Sequence, residues 1–366
     1  MLTFIGLLLI LGATLYFSFV CCMIWGLLKA DNSPQSSEFP SVAVIVAARN
    51  EADNLPELLE DLLAQDYPGE LSFIIADDRS TDSTWSLIHK FCKTHQQFTA
   101  LRINEESTEM TGKKNALTHC IKSSTATIII ETDADCRVEP AWVREMVSQF
   151  DSETGIVVGF SSVRGRSLFA IYQALDFMGI MMSNAGMMAL GKTWSGSGQN
   201  LAFKRAHFTS IGGFTGDPDQ SIGDDFYLVQ KIGGLRGVRA RFSWAAGSFA
   251  TTAASETIAD FYLQRKRWAS DTRGLHSKDP LFFSFLLFAF ILNLAILLSV
   301  ASLNFTMLLF GIVFIKFWLE FIIMIIGLKR LDRIKDSWVF LLWFLAQPIY
   351  IPIMGISGLF GKVPWK

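Results

Sequence analysis

Apolar residues are concentrated at the two ends of the chain. A predominantly apolar run covers 2–28, and three more lie near the C-terminus at 281–299, 306–328 and 338–360. About 20 such residues are enough for a helix to cross a bilayer. The pattern predicts an N-terminal membrane anchor within 1–30 and a C-terminal membrane domain of three helices within 279–362. A retained anchor is favoured over a cleaved signal peptide, because no basic residues precede the first run and it is too long for a signal sequence.

Charge in the loops predicts the orientation of these helices. The loop 329–335 is rich in Lys and Arg, whereas the loop around 301–304 carries no charge. Basic loops stay on the cytoplasmic side. The central part of the chain is therefore expected in the cytoplasm, with both termini outside, in an integral protein of a bacterial inner membrane.

Two features inside the apolar runs stand out. Lys316 and Glu320 are four residues apart, so they share a helix face and can form an ion pair. Either a structural pair or a role in a substrate path is consistent with this spacing. Pro348 and Pro352 remove backbone donors from the last run, which is expected to kink or break there and could be re-entrant.

The central part alternates between strand and helix patterns. Valine- and isoleucine-rich runs at 41–48, 71–76 and 127–131 read as strands buried on both faces. Helices are predicted after Asn54, over 83–94 and from Lys113. This alternation predicts a mostly parallel α/β sheet in one domain, 41–275. The methionine-rich stretch 167–190 has apolar residues at helical spacing, which fits a core helix or a helix at the membrane interface.

Each clear strand ends in polar or acidic residues. These are Arg49-Asn50-Glu51, Asp77-Asp78 and Asp133-Ala134-Asp135. Ligands of open α/β sheets bind at the carboxyl ends of the strands. Asp133 and Asp135 can offer two carboxylates to Mg²⁺ or Mn²⁺. Near Asp78, Ser80 and Asp82 are also suited to cap the next helix, and Lys113 could meet a phosphate.

Composition narrows the class of protein. Hydrophobic residues make up 51% of the chain, which is high for a soluble enzyme, and the net charge of −2 argues against nucleic-acid binding. The five cysteines show no paired spacing with histidine, so neither a disulfide framework nor a zinc site is expected. The sequence does not indicate an oligomeric state.

Short motifs in a fixed order carry a resemblance to a known family. In chain order they are VIVAARNE (44–51), ADDRSTDST (76–84), GKKNAL (112–117), TDAD (132–135), GSGQNLAFKR (196–205), IGGF (211–214), GDDFYL (223–228) and QRKRW (264–268). The chain resembles a membrane-integrated family 2 glycosyltransferase with a GT-A (Rossmann-like) fold, the group that includes ceramide glucosyltransferases and cellulose, chitin and hyaluronan synthases. The match covers about 41–270.

The resemblance implies roles for individual residues. Asp225 would be the general base. The nucleotide and donor sugar would be held by Ala48, Arg49, Asn50, Glu51, Asp78, Lys113 and Asp133, and Asp135 would bind the metal. Asp224, Gln264, Arg267 and Trp268 would lie near the diphosphate and the acceptor. The family usually has Glu-Asp where this chain has Asp224-Asp225, which puts the role of Asp224 in doubt.

The implied function is an inverting, metal-dependent transfer of a sugar from a nucleotide-sugar, with UDP the expected nucleotide, to a membrane lipid. One base and a metal-assisted leaving group suit a single displacement. Alternatives are a processive polysaccharide synthase acting on a glycan, which usually needs more membrane helices, and an inactive scaffold or a transporter. The last two fit poorly, because the acidic residues are present and the membrane runs hold few charges.

Overall fold

The computed structural model describes residues 2–31, 36–105, 107–108, 110, 112–216, 223–272 and 275–360. Their strands are β1 (Val42–Ala48), β2 (Leu71–Asp78), β3 (Phe98–Ile103), β4 (Ile128–Asp133), β5 (Cys136–Val138), β6 (Thr154–Gly159), β7 (Ser161–Arg164), β8 (Leu201–Lys204), β9 (Arg239–Ser243) and β10 (Ala250–Ala253).

The helices are α1 (Leu2–Lys29), α2 (Leu55–Leu63), α3 (Thr84–Thr94), α4 (Gly112–Lys122), α5 (Trp142–Val147), α6 (Leu168–Met188), α7 (Arg205–Ser210), α8 (Asp224–Gly233), α9 (Ile258–Ser270), α10 (Leu275–Lys278), α11 (Pro280–Ala301), α12 (Met307–Arg330) and α13 (Phe340–Leu359).

The chain divides into two compact units. Among the described residues, the helical unit comprises 2–30, 165–190 and 254–360, and the sheet unit comprises 31–164 and 191–253. The helical unit thus includes α6, which lies between β7 and β8 in sequence, and α9, which follows β10. The domain boundaries expected from the sequence, 1–30, 41–275 and 279–362, remain a prediction.

The sheet unit is built on a seven-stranded, mostly parallel sheet, as the sequence predicts. Its strand order is β3-β2-β1-β4-β8-β6-β9, in which β8 runs antiparallel to both of its neighbours. All seven residues of β1 are buried, which explains its continuous apolar run. A second sheet has the order β5-β10-β7.

The position of β1 determines where a ligand can bind. It pairs in parallel with β2 on one side and with β4 on the other. The chain adds β2 and β3 on one side of β1 and then crosses over to add β4 on the other side, so the strand order reverses at β1. Such a switch point opens a crevice at the carboxyl ends of the strands. The polar segments that follow β1, β2 and β4 therefore meet at one edge of the sheet.

Two strands are longer than expected, and one cap is absent. β2 extends through Asp78 and β4 through Asp133, because Asp78 is still in register with Ile103 and Asp133 with Ala47. Asn54 precedes α2 but makes no capping bond. Its side-chain amide instead donates to Glu51 Oε2 at 2.7 Å.

The helical unit contains four helices that are long and apolar enough to cross a membrane. They span Phe4–Lys29, Pro280–Ala301, Met307–Arg330 and Ile334–Leu359, in agreement with the four apolar runs. α13 continues through Pro348 and Pro352 rather than breaking there. The methionine-rich α6 packs against α1, α12 and α13, and Gly26 meets Gly186 so closely that a Cβ on Gly26 would lie 1.8 Å from the carbonyl oxygen of Gly186.

The predicted Lys316–Glu320 pair is present and belongs to a larger polar network. The Lys316 ammonium lies 2.8 Å from Glu320 Oε1, and it donates to Gln347 Oε1 at 3.0 Å. Gln347 and Tyr16 donate to the two oxygens of Glu320, at 2.9 and 2.7 Å. All four side chains are buried. A network in which the charges have several partners favours the structural interpretation of this pair, since each buried charge is compensated.

Candidate active site

Side-chain hydrogen bonds join the loops that follow β1 and β2. The backbone N–H of Asn50 donates to Ser80 Oγ (3.0 Å), and Asn50 Oδ1 accepts from the backbone N–H of Thr81 (2.8 Å). Asn50 and Arg79 have positive φ angles of 54° and 57°. This left-handed conformation is strained for residues other than glycine and tends to occur at functional sites. The loop with Ala48, Arg49, Asn50 and Glu51 is therefore held in one shape.

Asp78, at the end of β2, is fully buried among cationic groups. Arg79 Nε donates to Asp78 Oδ1 at 2.9 Å, and Arg49 Nη1 lies 4.0 Å from Asp78 Oδ2. The start of α4 approaches so closely that a Cβ on Gly112 would lie 2.4 Å from Asp78 Oδ2. A side chain at position 112 would therefore force the Asp78 carboxylate or the start of α4 to move. Capping of α3 belongs to Asp82, whose Oδ1 accepts from the backbone N–H of Thr84 at 3.0 Å.

Lys113 joins three carboxylates from two separate elements. Its ammonium lies 3.1 Å from Glu131 Oε1, 3.0 Å from Asp133 Oδ1 and 3.0 Å from Asp224 Oδ2. Glu131 and Asp133 lie on β4, while Asp224 begins α8. The Lys113 ammonium thereby connects the DxD segment at 133–135 to the acidic pair that begins α8, about 90 residues further along the chain. We refer to these four residues as the Lys113 cluster.

The cluster shifts the pKa values of its members in opposite directions. Burial alone lowers the pKa of Lys113, but Asp133, Asp224 and Glu131 outweigh it and leave this pKa well above its usual value. Burial raises the pKa of Glu131, and Lys113 only partly opposes the rise. For Asp224 the effect of burial is outweighed by Lys113, so its pKa is lowered. The cluster therefore favours the ionised form of Asp224 and the protonated form of Glu131 relative to ordinary carboxyl groups.

Asp225 lies beside the cluster and is held at both oxygens. Its Oδ2 accepts from the backbone N–H of Gly198 at 3.0 Å, and its Oδ1 accepts from the backbone N–H of Phe226 at 2.7 Å. Burial and the neighbouring Asp224 carboxylate raise the pKa of Asp225, while Lys113 lowers it. A carboxyl group with a raised pKa has the proton affinity that a general base needs.

Gly198 lets the cluster form. A Cβ on this residue would lie 2.8 Å from Lys113 Nζ, 3.0 Å from Glu131 Oε1 and 3.2 Å from Asp224 Oδ2. The glycine thus leaves space for the Lys113 ammonium, and its backbone N–H also holds the Asp225 carboxylate. Asn200, two residues later, is fully buried and bonds to Trp142 Nε1 and to the carbonyls of Phe160 and Ser248, so its role is structural.

Asp133 and Asp135 suit a divalent cation whose other ligands come from the substrate. Asp135 Oδ2 accepts from Thr252 Oγ1 at 3.1 Å, and both aspartates are partly exposed. Within the described residues, no three or more His, Cys, Asp or Glu side chains are grouped as a metal site. Two carboxylates suit Mg²⁺ or Mn²⁺ when substrate phosphate oxygens complete the coordination, whereas a cage made entirely of protein groups would need more.

The remaining predicted residues, Gln264, Arg267 and Trp268, lie on α9 in the helical unit. All three are partly exposed. Sequence reasoning missed Glu131, Thr252 and Arg265. Only Glu131 gave a signal, as a charged residue at the end of an otherwise apolar buried strand.

Comparison with known proteins decides the class of this molecule. The family model described as glycosyl transferase family 21 matches residues 6–366. The chain belongs to glycosyl transferase family 21. This family is similar to the family 2 type that the motifs indicated, so the glycosyltransferase class inferred from the sequence is confirmed.

Curated relatives of this family 21 glycosyltransferase include polymer synthases. The chain is 27% identical over 255 residues to the poly-beta-1,6-N-acetyl-D-glucosamine synthase of Staphylococcus aureus, which covers 68% of this chain and 58% of the relative. The enzyme of the same description from Staphylococcus epidermidis is 24% identical over 254 residues, covering 67% and 58%. The chain thus spans less than two thirds of the length of these relatives.

A solved structure has the same fold. It is a mannosyltransferase from Pyrobaculum calidifontis in complex with GDP-mannose and Mn²⁺. The likeness has a TM-score of 0.63 at 20% identity and covers 94% of this chain and 99% of the other. The GT-A-like fold with apolar helices, expected from the sequence, is therefore confirmed.

Proposed function

We propose that this protein transfers a sugar from a nucleotide-sugar to a membrane lipid, with inversion at the sugar carbon. Asp225 acts as the general base, and Asp133 and Asp135 would hold a divalent cation that would stabilise negative charge on the leaving diphosphate. The observation that carries the proposal is the connection, through Lys113, between the strand-end carboxylates of β4 and the acidic pair at the start of α8.

Each group has a chemical task in the displacement. The acceptor hydroxyl oxygen bonds to the anomeric carbon as the bond from that carbon to the diphosphate oxygen breaks, and the bonding electrons leave with the diphosphate. The acceptor proton moves to Asp225. Its bonds from Gly198 and Phe226 fix the orientation of the carboxylate before the reaction, so little reorganisation is needed.

The donor would lie along the edge formed by β1, β2 and β4. Ala48, Arg49, Asn50, Glu51 and Asp78 would hold the nucleoside, as the resemblance implies, on a loop whose shape is already fixed. Asp133 and Asp135 would hold Mg²⁺ or Mn²⁺, which neutralises charge that develops on the diphosphate. The mannosyltransferase of similar fold was solved with Mn²⁺ and a nucleotide-sugar, which supports this assignment.

Lys113 keeps the acidic residues together before the donor arrives. Without a counter-charge, Glu131, Asp133 and Asp224 would repel one another and any incoming phosphate. With Lys113 among them, Asp224 stays ionised and the pKa of Asp225 rises less than it otherwise would. The aspartate at 224, where the family usually has glutamate, serves in this account to anchor Lys113 rather than to touch the acceptor.

A lipid acceptor is preferred because four apolar helices suit the capture of one lipid better than the passage of a polymer. The basic loop at 329–335 supports a catalytic unit on the cytoplasmic side of a bacterial inner membrane. A second candidate, synthesis of a glycan polymer, is favoured by the polymer-synthase relatives.

The experiment uses membranes that contain the full chain and a panel of labelled UDP- and GDP-sugars. Lipid extraction separates the products, and the Asp225→Asn variant supplies the background. Label that enters the organic phase as a single-sugar product supports the lipid acceptor. Label in an insoluble, high-molecular-weight product would contradict the lipid acceptor and support a polymer synthase instead. No incorporation above background from any donor would contradict glycosyl transfer itself.

A further inference from the structure

Arg265 is a buried residue of α9, whereas the residues of this helix that the resemblance assigns to the substrate are partly exposed. Gln264, Arg267 and Trp268 are accessible on α9, but the side chain of Arg265 is only 3% exposed. Its partner is Asp176 on α6, where Arg265 Nε donates to Asp176 Oδ2 at 2.6 Å. An arginine that is removed from water needs such a carboxylate close by.

Asp176 is itself held by two residues of α13. Trp343 Nε1 donates to Asp176 Oδ1, and the Tyr350 hydroxyl donates to Asp176 Oδ2, both at 3.3 Å. The carboxylate therefore accepts from side chains on two other helices and has little freedom to turn. α6, α9 and α13 all belong to the helical unit.

The guanidinium of Arg265 contacts two of the three residues of α9 that the resemblance assigns to the acceptor and diphosphate. Its Nη1 donates to Gln264 Oε1 at 2.6 Å. Its central carbon lies 4.0 Å from the centre of the Trp268 ring and 4.5 Å from that of Phe261. A planar guanidinium can stack on rings and donate at its edge at the same time, which a lysine ammonium cannot do.

These contacts set the direction of both side chains. With its carbonyl oxygen bonded to Arg265, Gln264 keeps its amide N–H groups as the donors that are left for a substrate. Trp268 is fixed in one orientation by stacking on the cation. α9 has other anchors to α13, because Tyr262 donates to Ser357 Oγ at 3.0 Å and Gly358 lies against Ala269. Anchoring of the helix alone therefore does not require Arg265.

We propose that Asp176 and Arg265 are positioning residues, which orient Gln264 and Trp268 for the acceptor and the diphosphate. The proposal rests on the proposed function together with the resemblance, which implies that those two side chains lie near the diphosphate and the acceptor. Asp176 acts through Arg265, and Arg265 acts through Gln264 and Trp268.

The test is Arg265→Lys, which keeps the charge next to Asp176 but loses the fork and the planar stacking. We expect kcat for sugar transfer to fall by about 10- to 100-fold, the scale on which a misplaced positioning group acts. The KM for the nucleotide-sugar and the thermal midpoint should stay close to wild type. The matched control is Arg333→Lys, at a helical-unit arginine whose Nε lies 2.7 Å from Asp336 Oδ2, and it should keep wild-type kcat. A wild-type kcat in Arg265→Lys overturns the proposal.

A double-variant cycle separates positioning from general weakening of the fold. If Arg265 acts in part through Gln264, then Arg265→Lys should slow the Gln264→Ala variant by a smaller factor than it slows the wild type. Losses that multiply overturn the proposal. Should Arg265→Lys fold poorly, Trp343→Phe removes one donor to Asp176 while leaving both charges in place. It is expected to lower kcat by a smaller factor with the same non-additivity, and multiplying losses there would overturn the proposal equally.

A fluorescence measurement gives an answer that does not depend on activity. The emission of Trp268 is obtained as the difference between wild type and Trp268→Phe, and it should shift in Arg265→Lys but not in Arg333→Lys. If wild type transfers no sugar from any donor, the proposed function fails, while this shift still decides the orientation of Trp268. An unchanged emission overturns the positioning role.

Discussion

The ammonium group of Lys113 lies 3.0 Å from a carboxylate oxygen of Asp224, and this contact joins two parts of the proposed site that are far apart in sequence. Lys113 lies in the first turn of α4, whereas Asp224 begins α8, the helix that carries Asp225, the proposed general base. Because the same ammonium also contacts Asp133, a change at Lys113 should disturb both the donor side and the base side.

Replacement of Lys113 by methionine should be strongly destabilising. It leaves Glu131, Asp133 and Asp224 without their shared cation, and loss of one partner of a buried pair costs about 3–5 kcal/mol. Without that cation, the folded-state pKa values of Glu131 and Asp224 should lie above their unfolded values, so folding takes up protons and the variant becomes more stable as the pH falls. Chemical denaturation at several pH values measures this. Lys122→Met, at an exposed lysine of the same helix, is the control and should behave as wild type. Equal stability of both variants would contradict the cluster.

Substitution of Gly198 by alanine should reduce activity while the protein remains folded. The added Cβ would lie 2.8 Å from Lys113 Nζ, so the ammonium must move away from Asp224 or Glu131. A displacement of this size is expected to lower kcat by about 100-fold. Steady-state kinetics together with a thermal melt provide the measurement. Gly311→Ala, where the added Cβ meets nothing within 4 Å, should leave kcat unchanged. Wild-type kcat in Gly198→Ala would show that the close approach has no catalytic consequence.

The acidic limb of the pH–rate profile should report Asp225. A general base works in its ionised form, so kcat/KM should decline as the pH falls through the pKa of Asp225, which burial and Asp224 raise above that of an ordinary aspartate. Asp224→Asn removes the adjacent negative charge and also leaves Lys113 with one carboxylate fewer. Both effects lower the pKa of Asp225, and the limb should move to lower pH. A limb that stays in place or moves to higher pH would be inconsistent with this origin.

Removal of divalent cations should abolish transfer. EDTA-treated protein is expected to be inactive and to recover with Mg²⁺ or Mn²⁺, because the two aspartates of the DxD segment offer oxygen ligands for such ions. Asp135→Asn should raise the cation concentration for half-maximal activity by about tenfold or more, because the loss of even an outer-shell partner of a metal ligand costs about 10- to 100-fold in affinity. Asp66→Asn, at an exposed carboxylate paired with Arg144, should leave that concentration unchanged. Full activity in EDTA would rule out the metal role.

The buried strands and their acidic ends could be predicted from the sequence. β1, β2 and β4 are apolar along their central positions, and this pattern follows directly from burial on both faces of a parallel sheet. The four membrane-length helices could also be predicted, because the length and hydropathy of an apolar run are enough to indicate them. β3 was not predicted because it lies at the edge of the sheet, where only its two end residues, Phe98 and Ile103, are buried and no continuous apolar run results.

The arrangement of the site required the structure. The nucleotide-side residues at 48–51 and Asp78 could be placed together, since parallel strands end at one edge. That Lys113 would meet Asp224, and that Gly198 would hold Asp225, depends on how α8 and the segment before β8 return to the sheet, and nothing local in the sequence encodes that distance. The buried Arg265 was likewise hidden, because its residue type suggests an exposed position and its partner Asp176 lies on a different helix.

The most direct test of the account is Asp225→Asn, assayed for sugar transfer and nucleotide binding on the same preparation. The amide keeps the shape of the side chain and can still accept from Gly198, but it cannot take the proton of the acceptor hydroxyl. The account predicts that kcat falls by about 100- to 10,000-fold, the usual contribution of a general base, while the affinity for the nucleotide and the thermal midpoint stay near wild type. A variant that transfers sugar at a rate close to that of the wild type would contradict the assignment of Asp225 as the base.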